Sequence, residues 1–149
     1  MLNFREASLD DCDLVYSWIN DPLVRQNSYN SDKISFEDHK SWFSKKILNP
    51  DSLYLIFSFN NVPCGQVRID KNSENIIGIL INENFRGKSL ASDMLVSAVE
   101  FFKSKYPSEI VTAYIKFDNL PSLKSFQKAG FTIKEEKEIN GSKSYILTK

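Results

Sequence analysis

Apolar residues recur along the chain at two spacings, and the switches between them mark out alternating helices and strands. Residues 2–6 read as a short strand. Ser8 and Asp11, three positions apart, form a capping-box signal for a helix over about 9–19, with Cys12, Val15, Tyr16 and Ile19 as its buried stripe. The segment 20–34 is polar and contains a proline, so it reads as a loop with little regular structure. Ser35 and Asp38 repeat the capping pattern ahead of a second helix over about 36–48, where Phe36, Trp42, Phe43 and Ile47 fall near helical spacing.

From Leu53 to Phe59 the run is apolar and aromatic enough for a central strand, and after an Asn-Asn turn QVRID alternates like an antiparallel neighbour. Residues 76–82 form a third strand of this group. Over 90–105, Ala91, Leu95, Ala98 and Phe102 share one helical face, and the helix ends before Pro107. A strand over 109–117 and a helix over about 120–129 follow, the latter stopping at Gly130 as a left-handed cap. The chain closes with a hairpin turning at Asn140-Gly141. The predicted order is βααβββαβαββ, an α+β fold around a mixed sheet, expected as one domain over 1–149.

Composition narrows the function classes. With 19 basic and 19 acidic residues the formal net charge is zero, so no footprint for nucleic acid or a membrane surface is present and any basic site must be local. Cys12 and Cys64 share no metal-ligand spacing, which predicts free thiols and no metal site. The N-terminus shows neither a signal-peptide pattern nor a long apolar run, so a cytoplasmic protein is expected, as monomer or homodimer.

The chemistry concentrates in Ile79–Ser92, where a buried strand breaks into a short loop and a helix begins. The first turn of a helix offers unpaired amides and the positive end of its dipole, which suits an anion. Arg86 and Lys88 add charge, Gly87 permits a tight turn and Ala91 allows close approach. A diphosphate fits this inventory, although a basic glycine loop alone is also what a plain surface turn looks like.

Arg86-Gly87-Lys88-Ser89-Leu90-Ala91 resembles the acetyl-CoA loop of the Gcn5-related N-acetyltransferases, [Q/R]-x-x-G-x-[G/A], and Asn119–Phe131 resembles that family's next motif. The resemblance implies that the strands 76–82 and 110–116 splay apart, opening a slot for a pantetheine arm beside the backbone of Ile79, Leu80 and Ile81. It implies acetyl-CoA as co-substrate, with Arg86 to Ser92 on its diphosphate and Asn119, Ser122 and Phe126 beside it. An amide near Ile81 or Asn82 would stabilise the charged carbonyl oxygen. Two positions depart from the family pattern: Ser89 replaces a glycine, for which a modest backbone adjustment is expected, and Phe126 replaces the tyrosine that often protonates the leaving thiolate. Ser122, another nearby donor or water is then the expected proton source.

The resemblance also implies an amine as acceptor. His39, the only histidine, is the first candidate for general base or substrate contact, and Glu74 is the second candidate base. The stretch Trp18–Phe43 is similar to a W-x-N-D-P-x-V-R pattern followed by I-S-x-x-x-H-x-x-W-F in bacterial acetyltransferases acting on nucleotide-linked amino sugars of the pseudaminic and legionaminic acid type. That similarity implies an acceptor site of Asn20, Arg25, Tyr29, His39 and Trp42, with Arg25 meeting a phosphate. Ile19 stands where those proteins often carry arginine. Acetylation of a protein N-terminus or a small amine, or a non-catalytic CoA-binding domain, are the competing expectations.

Overall fold

A computed structural model describes all 149 residues. Its strands are β1 (Leu2–Glu6), β2 (Ser52–Phe59), β3 (Val62–Asp70), β4 (Asn75–Ile81), β5 (Val111–Lys116), β6 (Thr132–Ile139) and β7 (Ser142–Thr148). Its helices are α1 (Cys12–Ile19), α2 (Pro22–Asn27), α3 (Phe36–Leu48), α4 (Ala91–Lys105) and α5 (Leu120–Lys128). The expected order holds except for α2, which sits inside the segment read as a loop. Asp21 caps α2 by accepting from the Leu23 amide at 2.8 Å, and Pro22 occupies the first helical position. The Asp-Pro pair was therefore a start signal, masked by the polar residues around it.

All seven strands form one sheet in the order β1-β2-β3-β4-β5-β7-β6, and every neighbouring pair is antiparallel except β4 and β5. The hairpins β2–β3 and β6–β7 turn through Asn60-Asn61 and Asn140-Gly141, all four with positive φ, which suits the right-handed twist of the strands they join. β3 and β4 approach so closely that a Cβ at Gly65 would collide with the Leu80 carbonyl oxygen.

Strand alternation sends side chains to two different cores. One face of β2, β3 and β4 supplies Leu55, Phe57, Val67, Ile69 and Ile77, which pack under α4 and α5 against Met94, Leu95, Ala98, Phe102 and Phe126. Each such buried side chain contributes about 1.5–3 kcal/mol. The opposite face supplies Tyr54, Ile56 and Leu80 to a smaller core with Val15, Trp18, Ile19 and Phe43 of α1 and α3. The helix stripes differ in detail from those expected. Trp18 is buried while Cys12 and Tyr16 are half-buried, and on α3 the inward residues are His39 and Phe43, leaving Phe36 and Trp42 partly exposed. Positions 39 and 43, four apart, stack on one face and Phe43 meets Tyr54, whereas Phe36, in the first turn, packs edge-on to Tyr16.

β4 and β5 pair only at Asn75↔Val111 and Ile76↔Thr112. Beyond that point the strands diverge, as the family resemblance implied. Buried Asn75 fastens the point of divergence: its Nδ2 donates to the Glu109 Oε2 at 2.8 Å and the Ile110 carbonyl at 3.0 Å. The wedge opens into a cleft of about 1770 Å³ that runs from the start of α4 to α2 and α3.

Candidate active site

The first half of the cleft is built by the loop between β4 and α4. Gly87 has φ +75° and Ser89 φ +59°, so two of the three residues after Arg86 lie in the left-handed region. Ser89 therefore holds a conformation that favours glycine, at a cost of order 1–2 kcal/mol. Because the turn delivers the chain directly into α4, no carbonyl within the protein accepts from the amides of residues 87–93. A row of unpaired amides at a helix start is a fit for a diphosphate. Arg86, Gly87, Ser89, Leu90 and Ala91 line the cleft; Lys88 and Ser92 do not. Lys88 is exposed and Ser92 is buried beneath the helix start.

The wedge supplies the second element. The Asn82 amide donates to Cys64 at 2.8 Å, which fixes the alternation: Asn82, Leu80 and Gly78 turn their backbone groups toward β3, and Ile79 and Ile81 turn theirs into the wedge. Asn82 is thus not a free oxyanion donor, and Leu80 reaches the cleft by its side chain alone; the amides of Ile79 and Ile81 remain. Across the wedge, Asn119 caps α5 by accepting from Ser122, and Ser122 and Phe126 line the same cleft. Phe126 is buried and packs edge-on to Phe131 at 5.0 Å.

The acceptor half is walled by α2, α3 and the opposite face of the sheet. His39 is 1% exposed; its Nε2 lies 3.0 Å from the Cys12 carbonyl and its Nδ1 has no partner. The carbonyl claims the Nε2 proton, so the neutral ring keeps a bare lone pair on Nδ1. Burial lowers the His39 pKa, outweighing the Cys12 carbonyl. Trp42 lies under the Arg68 guanidinium, 4.9 Å from its carbon to the ring centroid, and Asp70 holds Arg68 at 3.0 Å. Asp70 is pushed up by burial but ends below the ordinary carboxylate value through Arg68, Ser52 and Lys46.

Other predicted acceptor residues serve the fold of this wall. Arg25 donates to the carbonyls of Ile19, Asn30 and Asp32 and to Ser28 Oγ, so its guanidinium organises the 20–34 segment. Asn20 exchanges hydrogen bonds with the Ile34 backbone and does not line the cleft. Tyr29 does line it, and its hydroxyl donates to Ser144 at 2.6 Å. Glu74 lies outside the lining and accepts from the Tyr114 hydroxyl. Burial and Glu74 push Tyr114 up to about 12, so this phenol stays protonated. Sequence reading missed Gln66, Arg68, Tyr54 and Tyr114, although the alternation of QVRID already placed Gln66 and Arg68 on one face. No group of metal-ligating residues is present, and no helix is long and apolar enough to cross a membrane.

Comparison with known proteins agrees with this fold. The fold is similar to spermidine N-acetyltransferase from Vibrio cholerae in complex with CoA and spermine, with TM-score 0.88 and 14% identity, covering 99% of this chain and 94% of that one. It is also similar to aminoglycoside acetyltransferase AAC(6')-Ib in complex with coenzyme A, at TM-score 0.82 and 16% identity over 100% and 93% of the two chains. YncA from Salmonella typhimurium, a putative acetyltransferase with its cofactor acetyl-CoA, gives TM-score 0.80 and 16% identity over 100% and 93%. No curated protein matches the sequence. The family model described as acetyltransferase (GNAT) domain matches residues 1–132, and the chain therefore belongs to the GNAT acetyltransferases, enzymes that use acetyl-CoA as co-substrate.

Proposed function

We propose that residues 1–149 act as one domain that transfers acetyl to the amino group of a nucleotide-linked amino sugar. Acetyl-CoA supplies an activated thioester. The amides of 87–93 and Arg86 hold its diphosphate, and the backbone of Ile79 and Ile81 orients the pantetheine arm. An amide of the same strand would stabilise the negative charge that collects on the carbonyl oxygen, worth about 3–4 kcal/mol by analogy with other oxyanion donors. Phe126 holds no transferable proton, so Ser122 or water reprotonates the thiolate, an undemanding task because thiols leave readily. His39, neutral and with a free Nδ1, contacts the acceptor or takes a proton from its amine; Glu74, outside the cleft lining, is the weaker base.

The observation that carries the acceptor class is the charge of the cleft wall. Apart from Arg86, which is assigned to the cofactor, Arg25, Lys33, Arg68 and Lys137 line it against Asp32, Asp38 and Glu138, and the Arg68 guanidinium carbon lies 4.9 Å from the Trp42 ring centroid. A polyamine needs the opposite balance. A flat aromatic with a guanidinium above it suits a base beside phosphate.

Thiol release from acetyl-CoA in the presence of UDP-amino sugars, N-terminal peptides and spermidine tests this. Turnover is expected with a nucleotide sugar, with His39→Ala raising the acceptor KM and leaving CoA affinity alone. Turnover with peptides or spermidine but no nucleotide sugar would replace this acceptor class.

A further inference from the structure

The 20–34 segment crosses the acceptor side of the cleft as a strap. Asn20 and Ile34 close its two ends on each other at 2.8 and 2.9 Å, and Arg25 staples its interior. On the far side it is anchored to the other half of the sheet. Tyr29 donates to Ser144 of β7, and Lys116 of β5 donates to the Gln26 carbonyl at 3.0 Å.

One further tie leads to the phosphate loop. Asp21 uses Oδ1 to cap α2 and Oδ2 to hold the Arg86 guanidinium at 3.1 Å. Both partners are largely covered, with side chains 13% and 29% exposed, so water screens the pair less than an open surface pair. The remaining N–H groups of Arg86 have no partner within the protein. A guanidinium can bridge two anions, and its free edge is open to a phosphate while its Nη2 stays on Asp21.

We propose that Asp21 is a positioning residue that couples the two half-sites: a diphosphate that fixes Arg86 also fixes Asp21, α2 and the strap that walls the acceptor. The proposal rests on the reading that the diphosphate of CoA occupies the 86–92 loop. Fixing Arg86 removes rotamer freedom that Asp21 must otherwise restrict alone, so the ion pair strengthens when the cofactor is bound. By linkage, an acceptor that orders the strap tightens CoA binding by the same factor, expected at about fivefold.

Amide hydrogen exchange of the full chain, with and without CoA, tests this. In the wild-type protein CoA is expected to protect 86–92 directly and to slow exchange in 22–34 by about fivefold. Asp21→Asn keeps a capping side chain and removes the charge. It should still bind CoA but lose the added protection of 22–34, whereas a residue needed only for the fold would lower protection equally with and without CoA. Protection of 86–92 without any change in 22–34 of the wild type overturns the coupling and spares the cofactor site. An equal CoA effect in Asp21→Asn also overturns it. Absence of protection at 86–92 overturns both readings, and the wild-type comparison decides even if the variant does not fold.

Discussion

Replacing Gly87 by valine separates the conformation of the loop between β4 and α4 from the rest of the fold. At φ +75° an L-residue pays about 1–2 kcal/mol, more for a β-branched one, yet a Cβ at this position meets no atom within 4 Å. The variant therefore loses no packing. Strain of about 1–2 kcal/mol either lowers global stability by that much or is relieved by a flip of the loop to negative φ, which turns the amides away. In the second case the binding-competent loop is depleted about 5- to 30-fold and the apparent CoA affinity falls by the same factor. Calorimetric titration of CoA into wild type and Gly87→Val, with thermal unfolding in parallel, measures both. A folded variant with unchanged CoA affinity refutes the placement of the diphosphate on these amides.

The other expectations use the same site. Ser89→Gly removes the left-handed strain at φ +59° but gives the unfolded chain more freedom, so a net gain of about 0–1 kcal/mol and CoA binding up to about fivefold tighter are expected; weaker binding in calorimetry argues against the strain account. Phe126→Tyr should leave kcat unchanged or raise it, and a hundredfold fall in a folded variant would mean that the aromatic face itself matters. Burial lowers the pKa of His39 from its ordinary 6.5, so below that pH the unfolded chain binds more protons than the native one. Stability then rises with pH until about 6.5 and levels off, as far as His39 determines it. Urea unfolding at about pH 5.5 and 7.5 should show a steeper acid loss in wild type than in His39→Gln, and identical slopes would contradict the burial of a neutral ring.

Much of this molecule was legible because its local signals agree with one another. The two capping boxes, the 90–105 stripe and the Asn-Gly hairpin each state a start, a face or a turn in adjacent residues. The loop between β4 and α4 was legible for the same reason: Arg86, Gly87 and Ala91 fall within six consecutive residues. Arg68 over Trp42 was not, because 26 residues of chain separate partners that only sheet register and helix packing bring together. Arg25 shows the converse error. A lone arginine in a polar stretch resembles a ligand, but three nearby backbone carbonyls, of Ile19, Asn30 and Asp32, lie within reach and take its donors first. Likewise, the free amides of Ile79 and Ile81 follow from register with β3, a property no single strand carries.

The divergence of β4 and β5 has a thermodynamic consequence. A sheet is normally a continuous ladder, yet here its two leaves, β1 to β4 and β5 to β7, share only two rungs and the Asn75 stitch. A pantetheine arm laid along β4 as proposed would supply missing rungs from outside the polypeptide. The reactant would then complete the architecture as well as enter the chemistry, and heat tolerance would follow metabolite supply. At a concentration one hundred times its dissociation constant, such a ligand adds about 2.7 kcal/mol. A starved protein would fray first along this seam, and a fed one would unfold as a single leaf.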